Sequence, residues 1–144
     1  MRMSTIVRYC SCLVALLFTG SGFAEICLPY KTETVSITGV LEQHTFPGRP
    51  NYESIELGDE PETRFILSLL SPICTQGEVA TAQAHPQRDV MTVQLAVRKE
   101  NAGELESKLG ETVQVRGVLS SAFNAHHHAP LLMQVEAIDP VGED

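Results

Sequence analysis

In the stretch Val35-Ser-Ile-Thr-Gly-Val-Leu-Glu42, Val35, Ile37, Gly39 and Leu41 alternate with Ser36, Thr38, Val40 and Glu42. Successive strand side chains point to opposite faces, so this period of two reads as a strand with one face buried. The same alternation recurs downstream. Phe65, Leu67 and Leu69 interleave with Ile66, Ser68 and Leu70 before Pro72, giving a second strand with Cys74 just past its end. Met91, Val93, Leu95 and Val97 oppose Thr92, Gln94, Ala96 and Arg98 in a third. Val113, Val115, Gly117 and Leu119 oppose Gln114, Arg116 and Val118 in a fourth, and Leu131 to Ile138 forms a fifth. Between the third and fourth, Asn101-Ala-Gly-Glu104 has the spacing of a capping box, Leu105 and Leu109 mark one helical face, and Gly110 is the stop.

Five strands with one short helix between strands 3 and 4 have the order of an all-β, five-stranded OB-fold-like barrel. Gly39 and Gly117 suit it, because a glycine inside a strand marks the bulge or sharp coiling that lets the strand serve both sheets. An open sandwich of the same strands is the competing architecture, and spacing alone does not separate the two.

The flanks of this pattern concern compartment. Residues 1–24 hold Arg2 and Arg8, an apolar run from Cys12 to Phe18, the small residues Gly20, Ser21 and Gly22, and a cleavage position after Ala24. They read as a signal peptide, since the apolar run is far short of the ~20 residues that span a bilayer. Residues 25–34 are then an N-terminal lead-in, 35–139 the barrel domain and 140–144 an acidic tail. All 18 acidic residues lie beyond the leader, so the net charge of −8 becomes −10 after cleavage. The expected product is periplasmic or secreted, monomeric and without stable membrane insertion. Of the four cysteines only Cys27 and Cys74 remain in it, and an even pair in an oxidising compartment predicts a Cys27–Cys74 disulfide.

Two stretches are distinctive: Phe46-Pro-Gly-Arg-Pro-Asn-Tyr-Glu-Ser-Ile55 continuing through Gly58-Asp-Glu-Pro-Glu-Thr63, and His126-His-His-Ala-Pro-Leu-Leu132. They resemble an uncharacterised family of small secreted bacterial proteins, a domain of unknown function, over roughly Val35 to Ile138. The resemblance implies a bacterial, exported domain, similar in strand order to small periplasmic OB-fold proteins. It implies no activity, substrate or catalytic residue.

In an OB-fold, ligands commonly meet strands 2 and 3 and the loops joining strands 1 to 2 and 4 to 5. The first loop, His44 to Glu62, carries three prolines and two glycines and supplies His44, Arg49, Tyr52, Glu53, Glu56, Asp59, Glu60 and Glu62. The second supplies Asn124, His126, His127 and His128. If the second is extended, His126 and His128 face one way and His127 the other. Imidazoles so spaced suit a divalent transition metal, with His44 or a loop carboxylate as third donor. They equally suit a polar hairpin turn, imidazoles that satisfy loop carbonyls, or a pH-responsive element.

The acids from Glu53 to Glu62 lack the alternating layout of a calcium loop. They read as a solvated loop, with Tyr52, Ile55 and Leu57 tying it to the barrel wall and Asp59 and Glu60 capping backbone amides. Arg49 or Arg64 is available to pair with them.

Ser120 and Ser121 precede the histidines, but no nucleophile elbow, zinc-protease helix or phosphate loop is present. An acidic chain with few aromatic residues also lacks the cationic, stacking surface that single-stranded nucleic acid requires. The expectation is therefore a non-enzymatic exported binding domain, its two loops holding a small ligand, a metal ion or a protein partner. The alternative is a cell-envelope interaction or inhibitor protein that engages a basic partner through its acidic loop.

Overall fold

The computed structural model of the protein describes residues 26–30, 33–76 and 86–141. The leader assigned to residues 1–24 lies outside the described residues, as do residues 142–144 of the acidic tail. Six strands are present among the described residues: β1 (Ile26–Pro29), β2 (Val35–Pro47), β3 (Pro61–Gln76), β4 (Val90–Ala96), β5 (Thr112–Ser121) and β6 (Leu131–Pro140). The five expected strands are β2 to β6. They form a closed five-stranded barrel with one short helical segment, so the barrel and not the open sandwich is the architecture. Around the barrel the order is β3-β2-β5-β6-β4, and β4 returns to β3. All contacts are antiparallel except β4 with β6.

Closure accounts for the regular alternation. Each strand sends one face inward, and Leu41, Leu67, Val93, Val113, Val115, Leu119, Leu131 and Met133 are fully buried there. Gly39 stands where β2 passes from one neighbour to the other, opposite Val113 of β5 and Leu69 of β3 at once. A side chain at Gly39 would meet the Ser68 carbonyl, and one at Gly117 the Gln134 carbonyl. Gly117 lies at the register shift between β5 and β6. These are the close approaches for which a strand glycine is needed.

Several expectations are corrected. The second strand does not end at Pro72; β3 runs to Gln76 and includes Cys74. Pro72 is tolerated because the β3–β4 ladder breaks between Ser68 and Ile73, where no amide is required of it. The third strand keeps its expected facing at Val93 and Leu95, which are buried, and at Val97, which packs on the core, but at its start Val90 joins the core and Met91 is exposed. The helix is Ala102–Glu106, entered through a 3-10 turn at Lys99–Asn101, and Asn101 makes no side-chain cap. Leu105 alone of the two leucines is buried; Leu109 is exposed. The helix ends at Glu106, short of the expected stop at Gly110; Gly110, at φ +83°, lies in the turn that follows, and its amide donates to the Leu41 carbonyl at 2.8 Å.

The lead-in holds a strand that the sequence reading did not assign. β1 adds to β3 in parallel, with Cys27 beside Cys74. The Cys27–Cys74 disulfide joins these neighbours at a Cα–Cα distance of 4.1 Å.

Candidate functional site

The β2–β3 hairpin is longer than its apolar pattern suggested. Pairing continues through His44↔Arg64 and Phe46↔Glu62 to Pro47↔Pro61, so the true loop is residues 48–60. β4 follows β3 only as far as Phe65↔Leu95. Beyond that point the first residues of β3 and the end of β4 part company. The gap is a groove of about 550 Å³, lined by Arg64, Gln94, Ala96, Arg98, His126 and Leu132 among others.

The first loop is organised by Asp59, which is buried. Its carboxylate accepts the amides of Asn51 at 2.8 Å, Glu53 at 2.7 Å and Ser54 at 2.9 Å. These three bonds hold the Asp59 carboxyl below its ordinary value of 3.8. The capping expected of Asp59 is thus present, whereas the anchoring expected of Leu57 is not: that side chain is 83% exposed, and Ile55 is also exposed. Tyr52 takes a left-handed backbone conformation, φ +60°, uncommon for a bulky residue.

The second loop turns at Ala125 and His126 and bends at Ala129 and Pro130, and is not an extended segment. His126 and His128 nevertheless reach one partner, Glu62. His126 Nδ1 donates to Glu62 Oε2 at 2.6 Å, and His128 Nε2 donates to Glu62 Oε1 at 3.2 Å. With its proton on Nδ1, a neutral His126 accepts the Tyr52 hydroxyl at Nε2, 3.0 Å away. Arg64 also pairs with Glu62. Burial alone would push the Glu62 carboxyl up, but the hydrogen bonds from His126 and His128, with the Arg64 charge, bring it below its ordinary value. His128 stacks flat on Phe46, centroids 4.1 Å apart.

Gln94 completes the fastening. Buried on β4, it donates from Nε2 to the His126 carbonyl at 3.0 Å and accepts the His128 amide on Oε1 at 2.7 Å. Both orphan backbone groups of the loop are thereby paired. The sequence reading missed Gln94, because alternation assigned it to the polar face and no local signal marks a glutamine whose partners lie 32 and 34 residues away.

His127 has a separate role. Its Nδ1 accepts the Phe123 amide at 3.0 Å, which places the ring proton on Nε2. Burial, then the charges of His126 and His128, lower its pKa from the ordinary value of 6.5.

The remaining candidates divide. His44 bonds to Glu42 at 2.9 Å and lies along Phe46, with ring centroids 6.1 Å apart. It is not brought to His126 and His128 as a third donor. Among the described residues no group of three or more His, Cys, Asp and Glu side chains is arranged to hold a metal ion. Asn124 caps the second loop, its Oδ1 accepting the His126 amide at 3.0 Å. Arg49 and Glu60 line a neighbouring hollow of about 370 Å³ with Glu62 and His126, and Glu53 is exposed. Tyr52, His126 and Glu62 stand in the order of an acid–base relay, but Tyr52 lines neither hollow. What the arrangement does is clasp the two loops together at the start of β3.

Residues 92–139 match a family model described as Domain of unknown function (DUF4431). The match takes in Gln94 and the whole histidine loop, and leaves out the β2–β3 hairpin that carries Glu62 and Tyr52. No curated protein matches the chain.

Proposed function

We propose that the protein is an exported binding domain that holds a small ligand in the groove beside β4, framed by the β2–β3 and β5–β6 loops. The observation that carries this reading is the joint clasp of Glu62 and Gln94 on the histidine loop. It fixes the frame while leaving an open, partly apolar groove of about 550 Å³, within the usual size of a small-molecule site. A closed five-stranded barrel with one short helix suits the OB-fold reading, in which ligands commonly occupy this face and these loops. Export is in keeping with the leader-like sequence, the disulfide, and the absence among the described residues of a helix able to cross a membrane.

Amide NMR of the full chain against a panel of small ring compounds tests the reading, with Ala96→Trp as a variant that fills the groove. Shifts at Gln94, Ala96 and Leu132 that vanish in Ala96→Trp are expected. Shifts confined instead to the hollow of about 290 Å³ at Leu28 and Leu70 would refute it.

A second reading rests on Leu57, 83% exposed at the tip of the first loop and beside the exposed Glu56. An exposed apolar residue in a loop whose Glu53, Glu56 and Glu60 are also exposed suits a basic partner. Hexalysine should then shift the Glu53, Glu56 and Glu60 amides at low salt and lose that effect at high salt; no shift at low salt would dismiss this reading.

A further inference from the structure

We infer that the ligand of this groove is an organic anion, a carboxylate or phosphate monoester attached to a flat apolar body, received by Arg64, Arg98 and the Nε2–H of His127. This rests on the reading of the groove as the binding site. The chain carries 18 acidic residues against 10 Lys and Arg, yet no Asp or Glu lines the groove, whereas Arg64, Arg98, His126 and His127 do. A cleft walled by one sign of charge concentrates ligands of the opposite sign.

The three donors differ in what they have left to give. Among the described residues, the Arg98 guanidinium has no hydrogen bond or ion pair. Arg64 uses its terminal nitrogens on the Thr63 carbonyl and Glu62, which leaves its Nε–H uncommitted. His127 accepts the Phe123 amide on Nδ1, so its Nε2 is a fixed donor. The Glu62 carboxylate, held by the lining residues Arg64 and His126 and by His128, does not oppose an incoming anion as a free charge would. Guanidinium groups suit the planar oxygens of carboxylates and phosphates.

The body of the ligand follows from the rest of the lining: Phe65, Ala96, Val97, Ala102 and Leu132 give an apolar bed. The groove also has a direction. Past Arg98 and Gln134 an adjoining hollow of about 580 Å³ brings in Glu136, whose carboxylate accepts the Thr34 hydroxyl at 3.0 Å. The anionic end is therefore placed on the near side of Arg98, toward Arg64 and His127.

The test titrates the full chain with benzoate, phenyl phosphate, benzyl alcohol and benzylammonium, read by amide and arginine Nε–H NMR. Expected are groove shifts from both anions, with affinity falling about tenfold in Arg98→Ala and partly recovered in Arg98→Lys, while the Gln94 and His128 amides stay in place in both variants. Comparing the two anions tells carboxylate from phosphate. Benzyl alcohol or benzylammonium binding in the groove as tightly as benzoate would overturn the anion inference and leave the binding groove standing. No groove shift from any of the four overturns both.

Discussion

Gln94 makes both of its side-chain hydrogen bonds to the backbone of one loop, and this gives a single residue authority over the site. In Gln94→Ala the His126 carbonyl and the His128 amide lose their partners, and leaving such groups unpaired costs about 1–3 kcal/mol. Urea denaturation should show a loss of that size, with amide exchange rising first in residues 124–128. Unchanged exchange there would mean that Glu62 alone holds the loop. Gln94 escaped the sequence reading for a definite reason. A period of two reports which face a residue occupies, and Gln94 is covered not by the barrel interior but by a loop arriving from far along the chain. Glu62 was legible only as one acid among five, although it is the one to which His126, His128 and Arg64 converge.

At the level of elements, Asp59 converts the first loop from a solvated acidic run into a structured one. Its carboxyl is held below its ordinary value of 3.8, so the folded state favours the ionised form. The stability it contributes is fully present above that value and is lost as pH falls through the lower, folded value. Acid titration followed at the Asn51, Glu53 and Ser54 amides should therefore give a common midpoint below 3.8, the ordinary Asp59 value, and Asp59→Asn should abolish it. A midpoint at or above that value would contradict the capping role.

The strand glycines carry the complementary prediction. Gly117→Ala drives a methyl group toward the Gln134 carbonyl at the β5–β6 register shift, and such overpacking typically costs about 1–3 kcal/mol. Thermal unfolding should report it, while Gly103→Ala, with open space around the added carbon, should not destabilise. Gly39 and Gly117 were readable as special because each leaves a gap in an otherwise apolar inward row, and a strand tolerates that gap where a bulge or a neighbouring backbone fills it. The hairpin ends were not readable: residues 43–47 and 61–64 are partly or fully exposed, so no buried face imposed a pattern there.

For the whole molecule, the barrel closes without β1, which is held through four paired residues of β3 and one disulfide. The crosslink spans a sequence separation of 47, for which the chain-entropy model gives about 4 kcal/mol. Cys27→Ser/Cys74→Ser should lower stability by up to that amount in urea titration and free β1 before the barrel opens; equal stability of the two forms would show that the unfolded chain gains little from losing the link. The five barrel strands, a short helix between the third and fourth, and the cysteine pair were legible in the chain alone. Each is written in local terms: period-two burial, stop residues, and a count of thiols. Tertiary structure alone decided the sixth strand, the length of the hairpin, and the clasp joining Tyr52, Glu62, Gln94 and His126. Those features depend on contacts between residues up to 74 positions apart. Nothing in a residue's immediate neighbours records such a partner, because it is chain closure that brings the two together.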